Sequence, residues 1–251
     1  MEILIPQNLL NELGVPQIID IRDKLPTNPN YTWEQLTGNR DVNKITTIAL
    51  HHDALSKSKT AGITDVQLAI NIARSHIRLT SNEKKGDPGF PYDVWIRNGT
   101  AYLCNDLLPL KYGVGGCNGY TVHICVSGEY SSADTLADAD KRMLIAVVLA
   151  YKQGLPAYKE TKAHKDFPNA KTACPGYDVQ SLFAEIGKVE LQLKAATDPE
   201  VAKLKMQRAK NQHNYLYEEY VKNPEGMKWL EPYLLRMDEV TREMGMYFGK
   251  F

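Results

Sequence analysis

The sequence predicts an α/β fold, a mixed central β-sheet flanked by helices, followed by an all-helical C-terminal appendage. Over roughly the first 185 residues, β-branched apolar runs alternate with amphipathic helical stretches, the pattern of a sheet covered by helices. An Asn98-Gly99 pair splits two such runs, and this dipeptide favours a tight antiparallel hairpin, so the sheet cannot be purely parallel. From about Gly187 strand patterning stops, and Lys, Glu, Leu, Met and Tyr recur at helical spacing. The expected division is therefore 1–185 for the sheet domain and 186–251 for the helical appendage.

Taken in order, residues 44–50 (KITTIAL) read as a strand running into His51-His52-Asp53. Residues 64–78 read as an amphipathic helix, with Val66, Ile70, Ala73 and Ile77 at helical spacing, and a polar loop, SNEKKGDPG, follows. Residues 92–96 and 100–104 are the arms of the hairpin, and 121–126 (TVHICV) is a further strand. Residues 135–153 form a long helix expected to bury Leu136, Met143, Leu144, Val147, Val148 and Tyr151. After a Gly-Leu-Pro break comes a loop holding His164 and Cys174, then a short helix beginning near Asp178. Pro199, Pro224 and Pro232 divide the tail into two or three helices. Its aromatics (Tyr215, Tyr217, Tyr220, Trp229, Tyr233, Tyr247, Phe248) offer surface for packing on the first domain or for self-association of the chain.

Composition narrows the function classes. Thirty Lys+Arg balance thirty Asp+Glu in 251 residues, so a nucleic-acid partner, which leaves a basic footprint, is not expected. MEILIPQNLLNELGVPQ has no basic start, apolar core or small-residue cleavage site, and no run reaches membrane-span length. The expectation is a product made in the cytoplasm without a signal peptide. Four cysteines are too few for a disulfide scaffold in a chain this long. Cys104 and Cys125 sit in strand-like surroundings and read as buried thiols, while Cys117 lies in a Gly-rich loop. Cys174 stands apart, in the polar turn Thr172-Ala173-Cys174-Pro175-Gly176.

His51, His164 and Cys174 each have a plain reading alone: a structural histidine at a strand end, a loop histidine, a turn thiol. Together they match the ligand set of a catalytic zinc, which takes three protein ligands and keeps a fourth position for water. Two neutral imidazoles and one thiolate leave Zn²⁺ a net positive charge, which acidifies water and polarises a carbonyl. A structural zinc site would show a fourth protein ligand, often in CxxC spacing, and the sequence has no such motif. The chemistry points to metal-assisted hydrolysis.

The arrangement resembles the zinc N-acetylmuramoyl-L-alanine amidases, the family of phage lysozyme-amidases and animal peptidoglycan recognition proteins. Ile48-Ala49-Leu50-His51-His52 is similar to the first-ligand strand, and Ile72-Ala73-Arg74-Ser75-His76-Ile77 to the helix end before the substrate loop. Phe90-Pro91-Tyr92-Asp93-Val94-Trp95-Ile96 resembles the strand with the active-site tyrosine, and Asn98-Gly99-Thr100-Ala101-Tyr102 the hairpin after it. His164-Lys165-Asp166 followed by Thr172-Ala173-Cys174-Pro175-Gly176 resembles the closing zinc signature, and the likeness spans roughly 20–185.

What the resemblance implies is zinc held by His51, His164 and Cys174, with Tyr92 and Thr172 as catalytic residues. His52, Asp93 and Asn118 would line the substrate cleft. The implied reaction is attack of zinc-activated water on the amide joining N-acetylmuramic acid to L-alanine in bacterial peptidoglycan. The missing signal then fits a phage endolysin released through a separate pore protein, and the tail aromatics could also touch the wall. Two rival readings are a peptidoglycan-binding protein without catalysis and a zinc peptidase cutting another stem-peptide bond. Recognition members commonly lack the thiolate ligand, which Cys174 supplies here. Three positions depart from the family pattern: Asp93 and Gly113 stand where His is common, and His123 replaces a small residue. For His123, as for His76, a hydrogen-bonded structural role is the plainer reading.

Overall fold

The apolar runs build the strands of one sheet: β1 (Ile19–Asp20), β2 (Thr47–His52), β3 (Val94–Arg97), β4 (Thr100–Leu103), β5 (Thr121–Val126) and β6 (Glu160–Ala163). They lie side by side in the order β1-β4-β3-β5-β2-β6. β3 and β4 are antiparallel and the other neighbouring pairs are parallel, so the sheet is mixed. Asn98 and Gly99 both take positive φ, 52° and 73°, the backbone that a two-residue turn matched to strand twist requires. The computed structural model describes residues 3–78 and 86–236. Residues 81–85 of the expected polar loop, and Tyr247 and Phe248, lie outside the described residues.

Successive side chains of a strand point to opposite faces, so the aligned residues His51, Cys125 and Trp95 share one face. Helix α3 (Asp65–Arg78) lays Leu68, Ala69, Ile72 and Ala73 over part of that face, in one cluster with Trp95, Tyr102, Phe90 and Cys125. Loops cover another part, where Ala49 packs with Val114, Cys117 and Phe167. His51 stands between these two clusters, paired with Cys125 and two residues from Ala49. Helix α4 (Asp138–Gly154) is buried continuously from Met143 to Tyr151 and packs against β3 and β4, while α1 (Gln7–Leu13) packs against α4. A helix apolar on every side is one enclosed between layers. Leu136, expected inside this helix, precedes it and is half-buried. A short α2 (Trp33–Thr37) starts on a Thr32–Gln35 capping box.

Four features differ from the expectation. The expected strand at 44–50 starts later, because Val42–Lys44 is a 3-10 turn closed by the Asp41 side chain on Asn43 N–H. At its other end β2 runs on through His51 and His52, which pair with Cys125 and Val126 rather than following the strand. The loop expected before His164 contains β6, a sheet edge of sequence Glu-Thr-Lys-Ala. Charged residues blunt such edges and erase the apolar alternation that marks a strand. The short helix expected near Asp178 is α5 (Val179–Thr197), 19 residues long.

The chain divides into two compact units, Met1–Gly187 and Lys188–Phe251. In the second, α6 (Pro199–Lys222) begins on a proline, tolerated where the first turn leaves its N–H unpaired anyway. Pro224 follows its end, then a 3-10 turn at Lys228–Leu230 and helical residues at 231–236. Tyr215, Tyr217, Trp229 and Tyr233 are exposed. Among the described residues no helix is long and apolar enough to cross a membrane.

Candidate metal centre

β2 has parallel neighbours on both sides, β5 and β6, so three carboxyl ends meet at one edge of the sheet. Crevices at such ends are where α/β sheets hold ligands. Leu50 pairs with Ala163, which makes His51 in β2 and His164 just past β6 next in line, with ring centroids 4.8 Å apart. Cys174 returns to them through backbone contacts: Lys165 N–H donates to its carbonyl at 2.9 Å, and His52 N–H donates to its Sγ at 3.3 Å. Thr172 Oγ1 accepts from Cys174 N–H at 3.0 Å and tightens the turn. Gly176 closes it at φ 81°, where an added Cβ would stand 2.7 Å from Ser131 N. The Cys174–Pro175 bond is cis.

One ligand atom from each of His51, His164 and Cys174 lies within 4.8 Å of the others. A single tetrahedral zinc holds N and S ligands about 3.5 Å apart, given bonds of about 2.0–2.3 Å. The 3.9 Å between Cys174 Sγ and His51 Nδ1 is near that span. Burial, then the neighbouring His123, His164 and His52, push the His51 pKa well down, and burial also lowers His164. Both rings are thus neutral, the form that ligates. Burial pushes the Cys174 thiol up to about 11, against the opposing pull of the His52 N–H. A cation here would favour the thiolate and displace the proton. Two neutral imidazoles and a latent thiolate fit zinc.

The other expected residues stand at different depths around the cluster. The Tyr92 ring lies 5.2 Å from the His51 ring, and its hydroxyl sits 3.5 Å from the His52 carbonyl. Burial holds that hydroxyl far above the usual phenol range, so it stays a donor. Thr172 is exposed at the turn. His52 is half-buried, its Nδ1 facing Tyr130 N–H at 3.4 Å. Asn118 turns its side-chain oxygen inward, accepting from Gly113 and Val114 N–H at 3.0 and 2.7 Å.

Asp93 requires a correction. It was expected to meet substrate, but it is fully buried and its carboxylate lies 2.5 Å from the equally buried Lys111 ammonium. Asp93 extends the β3–β5 pairing by one residue, bonded to His123, and a charge buried there survives only with a partner. Two supporting residues, Asp53 and Lys111, were assigned no role from sequence, and a third, His123, was read as a hydrogen-bonded structural histidine. Asp53 accepts from Trp95 Nε1, Leu55 N–H and Gly128 N–H, anchoring the segment after His52. Lys111 gave no periodic signal. His123 lies 3.1 Å from His51, and its place in TVHICV, on the parity of Cys125, was the available sign. A cavity of about 260 Å³ lined by Trp33, Phe90 and Lys111 includes none of the three clustered residues.

No protein-family model and no curated protein matches the chain. Solved structures do. The endolysin N-acetylmuramoyl-L-alanine amidase LysCS from Clostridium intestinale is 21% identical, with a TM-score of 0.51 over 69% of this chain and 97% of its own. LysC, an amidase from the same organism, matches equally over 99% of its length. Peptidoglycan recognition protein-LE, solved with tracheal cytotoxin, is 19% identical, with a TM-score of 0.51 over 68% of this chain and 92% of its own. The chain has the fold shared by N-acetylmuramoyl-L-alanine amidase endolysins and peptidoglycan recognition proteins.

Proposed function

We propose that this chain is a zinc-dependent amidase that hydrolyses the bond between N-acetylmuramic acid and L-alanine in bacterial peptidoglycan, acting as an endolysin. The observation that carries the reading is the convergence of His51, His164 and Cys174 at the ends of parallel strands, on a fold that amidases share. Zinc bound there would supply positive charge to acidify water and polarise the scissile carbonyl. Tyr92, which keeps its proton, donates to the oxygen that becomes negative. Thr172 uses its oxygen on Cys174 N–H, which leaves its hydroxyl proton free to donate to substrate. His52 and Asn118 line the approach; Asp93, being buried, supports it through the backbone of His123. Catalysis belongs to residues 1–185, and the wall is reached through a separate pore protein.

The test is digestion of purified peptidoglycan by the zinc-loaded chain and by His164→Ala. The parent should release L-alanine amino termini together with free lactyl groups on muramic acid, and the variant should not. Binding to the wall without new amino termini would replace the amidase by a recognition protein. Amino termini other than alanine would replace it by a zinc peptidase.

A further inference from the structure

We infer that His123 is the positioning residue of the centre: it accepts a hydrogen bond from His51 Nε2–H and so commits His51 Nδ1 to the metal. The inference rests on the zinc reading above. His51 Nε2 lies 3.1 Å from His123 Nδ1, while His51 Nδ1 lies 3.9 Å from Cys174 Sγ. The ring is therefore gripped from two sides, one nitrogen toward the ligand cluster and the other toward His123. A neutral imidazole carries one proton, and the nitrogen that ligates must be bare. The proton then sits on Nε2 and needs an acceptor. Both residues are buried, at 1% and 0% exposure, and His123 Nδ1 is the acceptor in place. His123 lies outside the cluster of ligand atoms, so it acts through His51.

The surroundings of His123 clamp its backbone and leave room for its ring, whose Nε2 is buried without a hydrogen-bond partner among the described residues. A Cβ on Gly113 would stand 2.4 Å from His123 Nδ1, and the Gly113 backbone lies outside the left-handed region. Room, not backbone freedom, accounts for this glycine. Gly113 and His123, two separate departures in the sequence, are thus one packing unit. Asp93 clamps the backbone of the same residue: its Oδ2 accepts from His123 N–H at 2.7 Å, and its N–H donates to the His123 carbonyl at 2.9 Å. Lys111 holds Asp93 at 2.5 Å and also donates to the carbonyls of Asp106 and Pro109, at 2.5 and 2.6 Å. A buried ion pair is a weak source of stability. Here it ends on the backbone of the residue that aims a metal ligand.

The full chain, stripped of metal, is titrated with Zn²⁺ against a competing chelator and with Co²⁺ followed by absorption. His123→Leu fills similar volume without an acceptor and should weaken Zn²⁺ binding about 10–100-fold. His123→Asn, whose amide oxygen can replace Nδ1, should stay within a few-fold of the parent and keep its Co²⁺ spectrum. Nitrogen-15 spectra of the metal-free parent should show His51 protonated on Nε2. A dominant Nδ1–H form overturns the inference, whether or not the leucine variant folds. Leucine-variant affinity equal to that of a metal-binding parent overturns it alone. A parent that takes up neither ion overturns the zinc reading, and this inference with it.

Discussion

His51 reaches the candidate centre from within a central strand, whereas His164 and Cys174 reach it from a turn and a loop. Behind His51 stand His123, Asp93 and Lys111, all fully buried. Behind Cys174 stand two backbone hydrogen bonds, the Thr172 hydroxyl and the left-handed Gly176. The strand half takes its geometry from packing and a desolvated polar network, and the loop half from a few local bonds. Changes in the first should therefore cost stability as well as metal affinity. Removing a ligand from the second should fall mainly on the metal.

The largest expected effect tests the frame common to both halves. Burial raises the pKa of Tyr130 and Tyr151, and burial followed by the Asp65 hydrogen bond lifts Tyr102 to about 12. A folded pKa above the unfolded value of about 10 means stability is full below that pH and is lost as pH rises through the folded values. Circular dichroism should collapse above pH about 10 together with tyrosinate absorbance. Titration of Tyr102, Tyr130 and Tyr151 near 10 with the fold intact would refute this.

Asp93→Asn comes next, because it leaves Lys111 as an uncompensated buried charge. The expected loss is about 3–5 kcal/mol in denaturant unfolding, and Lys111→Met added to it should recover part. A paired comparison then separates the halves. His51→Ala and His164→Ala should both abolish zinc uptake. In the metal-free chain, however, His51→Ala should cost about 1–3 kcal/mol by orphaning a buried acceptor, and His164→Ala less than about 1 kcal/mol. Equal losses would erase the distinction.

Gly176→Ala places a Cβ against the Ser131 backbone at φ 81° and should cost about 1–3 kcal/mol, with weaker zinc binding. Smallest is Thr172→Val, which removes the acceptor for Cys174 N–H at an exposed turn. About 0.5–1.5 kcal/mol is expected, with amidase turnover falling more than zinc affinity.

These halves were unequally legible. The loop half announces itself in His164 and the Thr172–Gly176 turn, since a thiol in a polar turn is out of place as a core residue. In the strand half His51 was legible at the end of an apolar run, but its support was not. Asp93 read as a cleft residue because its segment resembles the strand with the active-site tyrosine, and its partner lies eighteen positions on. His123 read as a structural histidine; its ring meets one that is seventy-two residues earlier.

By itself the sequence determined the mixed sheet, the hairpin at Asn98-Gly99, the long buried helix and the identity of the three clustered residues. Those follow from periodicity, turn chemistry and ligand type, which are properties of short windows. Tertiary structure alone decided that polar β6 joins the sheet, that pairing of Leu50 with Ala163 sets His164 beside His51, and that Lys111, Asp93 and His123 form one buried chain behind it. The reason is physical. A buried polar group is defined by its partner, and partners are chosen by which strands lie side by side.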